Sequence, residues 1–254
     1  MTDKIADATQ RARGYWFIDG LAEIGSGILF VVISISYLLW SLVPPGSAWS
    51  KLASGGRDVL LLGGIAMVFV LIRAAKLRST YVRTGYVEEH RPARKQILSA
   101  GAIGVAGVLG LAGLMVVGSL FFPAFRLGLV NGLAYFPAIF GLIFIVVQAS
   151  LGFRTGLKRF YGLAGLAALA SLGLSVAAHF YLAVHPFDWS FIATAGPNDP
   201  MPAGAAAALM DLLHYVYAGV ALFAAVHGLA WLVSGLTVRR KYLRQNPLPQ
   251  EVVK

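Results

Sequence analysis

The chain of 254 residues contains no cysteine. That excludes disulfides, thiolate metal sites and cysteine nucleophiles in one step. Charge is scarce too: only 13% of residues are Asp, Glu, Lys or Arg, against about a quarter in soluble domains. Acids are the rarer sign, 11 against 21 basic residues, for a formal net charge of +10. There is no H-E-x-x-H, no G-x-S-x-G and no phosphate-binding glycine loop, so no catalytic constellation argues for a membrane enzyme. What is there is apolar surface. Hydrophobic residues make up 58% and the mean hydropathy is +0.73. A soluble fold of this length has no interior to hide that much, so lipid is the expected solvent for part of it.

A bilayer core of roughly 30 Å needs about 20 mostly apolar residues per helix. Six segments qualify, at about 17–43, 58–75, 97–121, 128–152, 162–184 and 206–236. The expected fold is therefore all-α: a single polytopic membrane domain of six transmembrane helices, with a basic loop at 76–96 and a loop at 185–205 on the other side. The first fifteen residues, "MTDKIADATQRARGY", hold two acids and precede an apolar run too long for a signal peptide. No cleaved signal is expected.

Lysine and arginine orient the bundle. The segments 1–16, 73–96, 153–161 and 237–254 carry 3, 7, 3 and 5 basic residues, 18 of the 21. The opposite side holds Lys51, Arg57 and Arg126. Under the positive-inside rule both termini are cytoplasmic. The same asymmetry accounts for the net charge without a nucleic-acid partner. Arg78, Arg83, Arg91, Arg94 and Lys95 in the basic loop are candidates for contact with anionic lipid headgroups. A specific phosphate or partner site is the sharper reading of the same loop.

The stretch "LRSTYVRTGYV" within it resembles the R-x-T-Y-P-R-T-G-Y-V loop of a family of prokaryotic multi-spanning membrane proteins. Arg78, Thr80, Tyr81, Arg83, Thr84, Gly85, Tyr86 and Val87 match, and Val82 stands where proline is expected. "YWFIDGLAEIGSG" and "LKRFYGLAGL" carry a looser likeness. The resemblance implies a multi-pass protein of the prokaryotic cytoplasmic (inner) membrane. It implies no activity.

In lipid, small and polar residues mark the faces that helices bury against each other. At 100° per residue, Asp19, Glu23, Ser26, Phe30, Ser34, Tyr37 and Ser41 form one stripe along the first helix, expected to face the interior. Ile24 to Val43 supplies the apolar length, which sets Asp19 and Glu23 at headgroup level, within reach of Arg11, Arg13 or Arg73. Ala164, Ala168, Ser171, Ser175 and His179 line one side of the fifth helix, and Pro137 is expected to kink the fourth. "DGLAEIGSG" and "NGLAYFPAI" open the first and fourth spans, so helices 1–3 and 4–6 are a possible pair of inverted repeats.

Two groups of polar residues suggest function. Asp19, Glu23, Ser26, Asn131, Tyr135 and His227 would line a polar path through a small transporter or permease-like protein. His179, His185, Asp211 and His214 gather at the other end of the fifth and sixth helices, where a divalent metal, a proton site or a haem between His179 and His214 would fit. His214 and His227, about 140° apart on an ideal helix, do not pair as axial ligands. Against the transporter stands a non-catalytic subunit or scaffold that packs with a membrane partner, or with its own copy, through Gly- and Ala-rich helices. A path requires Glu23, Asn131 and His227 to converge on one cavity. A packing subunit has them dispersed and satisfied locally.

Overall fold

The computed structural model describes residues 14–43, 48–84, 123–185, 202 and 204–247. All regular structure among these residues is helical. A turn of 3-10 helix at Tyr15–Phe17 leads to α1 (Leu21–Leu42). Next comes α2 (Ala48–Ala75), which continues through a π-helical turn at Lys76–Thr80 and a last turn at Tyr81–Thr84. α3 (Pro123–Leu133) and α4 (Phe136–Thr155) follow, then α5 (Arg159–Val184) and α6 (Ala205–Gln245). Among the described residues five stretches are long and apolar enough to cross a bilayer: Leu21–Leu42, Val59–Thr84, Phe136–Thr155, Arg159–Val184 and Ala205–Gln245. This is an all-helical, multi-pass membrane bundle. The expected third span, 97–121, lies outside the described residues, as do most of the loop 185–205 and Arg11, Arg13, Arg91, Arg94 and Lys95.

Local chemistry explains where the helices begin and stop. Gly20 sits at φ +73°, a left-handed conformation that costs glycine little, and turns the chain into α1. The Asp19 carboxylate accepts the Leu21 amide at 3.1 Å, satisfying one donor of the first turn. The fourth span is interrupted rather than continuous. The helix breaks at Ala134–Tyr135 and restarts with Pro137 in its first turn, where the missing N–H costs nothing.

α6 is the spine. Its 41 residues run about 60 Å, twice a hydrocarbon core. It packs antiparallel to α1 over the most extensive interface among the described helices and also touches α4 and α5. The crossing is built on glycines seven residues apart. A Cβ on Gly27 would lie 2.8 Å from the Gly228 carbonyl oxygen, and one on Gly235 would lie 2.7 Å from the Ile24 amide nitrogen. Backbones that close leave no room for side chains. α4 and α5 form a second antiparallel pair, joined by a short turn through Gly156, and α2 packs on α1. From Val59 onward α2 shows most of its surface outward, including Val59, Leu62, Phe69 and Val70.

The stripe on α1 faces inward as its periodicity predicts. Asp19, Glu23 and Phe30 are buried, and Ser26, Ser34, Tyr37 and Ser41 are half-buried. On α5 the expected face holds only in part. Ala164 and Ser171 are buried and Ser175 is half-buried, while Ala168 and His179 are exposed.

Candidate functional site

The start of α1, the end of α2, the start of α5 and the end of α6 meet at one end of the bundle, where the described cations concentrate. Asp19 and Glu23 are both fully buried there. Each is held by a cation from a different helix. Lys76 Nζ donates to Asp19 Oδ2 at 2.8 Å and Oδ1 at 3.0 Å, and to the Trp16 carbonyl at 2.9 Å. The ammonium also lies 4.5 Å from the Trp16 ring centroid, a cation–π contact. Thr80 Oγ1 completes the Asp19 shell at 2.6 Å. Arg159 Nε donates to Glu23 Oε1 at 2.6 Å, and its Nη2 to the Phe17 carbonyl at 2.7 Å. Ser234 Oγ gives Glu23 Oε2 a hydrogen bond at 2.7 Å.

This is a double clasp. The pairs Lys76–Asp19 and Arg159–Glu23 tie α1 to α2 and α5, and the Ser234 hydrogen bond to Glu23 adds α6. Arg73, one of the cations expected to meet the acids, is exposed on α2 one turn before Lys76. The partners supplied instead lie 57 and 136 residues from the acids they neutralise. The helix of the second span runs on past 75 for the same reason: Lys76 and Thr80 point inward to Asp19, so they prolong the helix rather than end it.

A second layer of hydroxyls and guanidinia surrounds the clasp. Arg239 Nη2 donates to Ser79 Oγ at 2.6 Å and its Nη1 approaches Thr80 Oγ1 at 3.4 Å. Tyr242 Oη donates to the Thr80 carbonyl at 3.3 Å and lies 3.0 Å from Thr84 Oγ1, which in turn lies 3.2 Å from Tyr15 Oη. Arg78 is exposed and Arg83 half-buried, folded back onto the Ser79 carbonyl at 2.8 Å.

Further along α6, about 18 Å from Arg239, lies His227, 1% exposed. Phe30 meets its ring edge-on at 4.9 Å between centroids and Phe223 stacks on it at 5.2 Å. Phe144 leans on it at 5.7 Å. Trp231 Nε1 donates to His227 Nε2 at 3.0 Å, which assigns the proton to Nδ1, and the Gln148 amide presses on the same nitrogen. The Nδ1 atom and Gln148 Oε1 are buried without a partner among the described residues.

The remaining candidates are scattered. Asn131 is exposed on α3, and Tyr135 packs in a separate cluster with Ala134, Ala178, Leu212 and Val216. Among the described residues Glu23, Asn131 and His227 thus do not come together. An open groove of about 360 Å³ lies between Tyr37, Leu61, Leu133, Phe136, Leu213, Val216 and Tyr217, clear of all three. At the end opposite the clasp, His179, His185 and Asp211 are exposed and His214 half-buried. His185 stacks on Tyr181 at 4.5 Å, and Tyr181 stacks on Tyr215 at 4.2 Å. Among the described residues no three His, Asp or Glu side chains gather as a metal site. Asp19 and Asn131, the matched positions of the two possible repeats, occupy unlike surroundings.

The sequence reading missed Lys76, Thr80, Arg159, Ser234, Arg239, Gln148 and Trp231. Gln148 carried a signal, as one of the two side-chain amides, with Asn131, inside the fourth span. The others stand at span ends, where polar residues are ordinary. Compared with known protein families, curated proteins and solved structures, the chain matches none of them.

Proposed function

We propose that the protein is a non-catalytic membrane component, a subunit or scaffold, with both termini on the cytoplasmic face of a prokaryotic inner membrane. The observation that carries this reading is the local satisfaction of its buried acids. Asp19 and Glu23 each spend their charge on a helix-to-helix pair, and Asn131 and His227 stand apart from them. The orientation is supported by the concentration of Lys and Arg at the clasp end. α2 and α4 both run toward that end, as Lys76 beside Asp19 and Thr155 beside Gly14 mark. That supports a further crossing between them, and hence six spans.

A partner face is supported on α5. Gly162, Gly165 and Gly173 share one arc, and a Cβ at any of them would meet no described atom. Faces of small residues are where membrane helices approach closely.

The permease reading has one observation in its favour. Gln148 Oε1, His227 Nδ1, Ser171 Oγ and Tyr215 Oη are all buried without partners among the described residues. They lie on α4, α5 and α6, beyond the clasp, as a polar row would.

One experiment separates the two. The protein is reconstituted in liposomes holding a pH-sensitive dye, and the Asp19→Asn/Glu23→Gln double variant is compared with the wild type. The subunit reading expects an imposed pH gradient to decay no faster than in empty vesicles, and a lower melting temperature for the variant. Wild-type flux that vanishes in the variant at unchanged melting temperature would establish the permease instead.

A further inference from the structure

Among the described residues, charge at the clasp end does not balance. Asp19 is neutralised by Lys76 and Glu23 by Arg159. Arg83 and Arg239 are among the cations left over, and both guanidinia reach Ser79: Arg83 Nη1 donates to its carbonyl at 2.8 Å and Arg239 Nη2 to its hydroxyl at 2.6 Å. Two like charges meeting over one serine repel each other, and the bonds that hold them are to neutral oxygens. Arg83 Nε is also buried with no acceptor among the described residues. Around the pair stand the hydroxyls of Thr84 and Tyr242, 3.0 Å apart. Arg239 lies 5.6 Å from the Tyr242 ring centroid, so its plane is further constrained. Arg83 and Thr84 belong to the "RSTYVRTGY" stretch, and the clasp leaves both outside its ion pairs.

The geometry points to an anion site at Arg83 and Arg239, built for a phosphate group. Paired guanidinia offer the planar, forked donors that phosphate oxygens accept best. Depth identifies where such a phosphate is available. Arg239 and Asp211 lie 28 residues apart on α6, about 42 Å, which is the thickness of a bilayer including its headgroups. Arg239 therefore sits at the level of lipid phosphates. The ligand class is an anionic phospholipid headgroup or a free phosphate, which share this chemistry.

The test uses the whole protein purified in non-ionic detergent. Native mass spectrometry counts lipid bound after titration with short-chain phosphatidylglycerol or phosphatidylcholine, and inorganic phosphate is added separately while the melting temperature is followed. The expected result is one tightly held phosphatidylglycerol, weakened roughly tenfold by Arg83→Gln. Arg78→Gln, a change of equal charge at an exposed position one turn away, should weaken it less than about twofold. If Arg83→Gln does not fold, Arg83→Lys keeps the charge and loses the fork, and affinity should still fall. Stabilisation by inorganic phosphate without lipid retention would assign the site to a free phosphate. Equal binding of the two lipids, or equal losses in Arg78→Gln and Arg83→Gln, would overturn the site in favour of diffuse surface charge.

Discussion

The clasp end and the middle of the bundle handle buried polarity in opposite ways. Around Asp19 and Glu23 each carboxylate oxygen has a donor, and the donors come from α2, α5 and α6. Around His227, a few turns up the same helix, two polar atoms have none among the described residues. The difference is one of charge. An ion stranded in low dielectric costs several kcal/mol even after relaxation, while an unpaired neutral amide or imidazole nitrogen costs about 1–3 kcal/mol. The fold must find counterions for the acids from across the chain, whereas it tolerates an imidazole and an amide held among phenylalanine rings.

The contrast is broken most severely by removing one cation. Lys76→Met leaves Asp19 buried and unpaired, and should lower stability by about 3–5 kcal/mol. Adding Asp19→Asn should restore much of that, because the stranded charge goes with its partner. Thermal unfolding of both variants in detergent measures it. A single variant as stable as the wild type would show that Asp19 reaches water.

Glycine tests the same contrast in packing. Gly235→Ala must push α6 off the Ile24 amide, and should cost about 1–3 kcal/mol. Gly165→Ala faces open space, and should instead gain up to about 1 kcal/mol from backbone entropy. Destabilisation at Gly165 would mean that this face is already packed, by a second copy or another helix. Its oligomeric state in cross-linking would then separate those two.

The bilayer made some of this legible and hid the rest. Lipid forces polar residues of α1 onto the protein-facing side, so a 100° period located the Asp19-to-Ser41 stripe correctly. The same logic ends the second span at 75 and the sixth at 236, because charge reads as interface. Yet Lys76 turns inward to Asp19, and the stretch after 236, "TVRRKYLRQ", is rich in good helix formers, so both helices continue. Pairing was harder to read. Nothing in local periodicity says that Arg159 will meet Glu23 from 136 residues away. The heptad spacing of Gly20 and Gly27 against Gly228 and Gly235 was present in the sequence, but glycine is abundant throughout, with 29 residues, and spacing alone does not choose among them.

The smallest expected effect lies in the middle of the bundle. Gln148→Leu removes the unpartnered Oε1 and fills its place with apolar atoms beside the rings that enclose His227, while Trp231 still donates to Nε2. The lost amide contact and the relieved desolvation oppose each other, so stability should stay within about 1 kcal/mol of the wild type. Trp231→Phe is the internal control: it removes the indole donor to the imidazole, leaves Gln148 in place, and should cost about 1–3 kcal/mol. Melting curves of the two variants decide whether the His227 region is a tolerated imperfection. If Gln148→Leu proved as damaging as Lys76→Met, the amide would have a partner of its own, and the polar row beyond the clasp would become the stronger reading of the bundle.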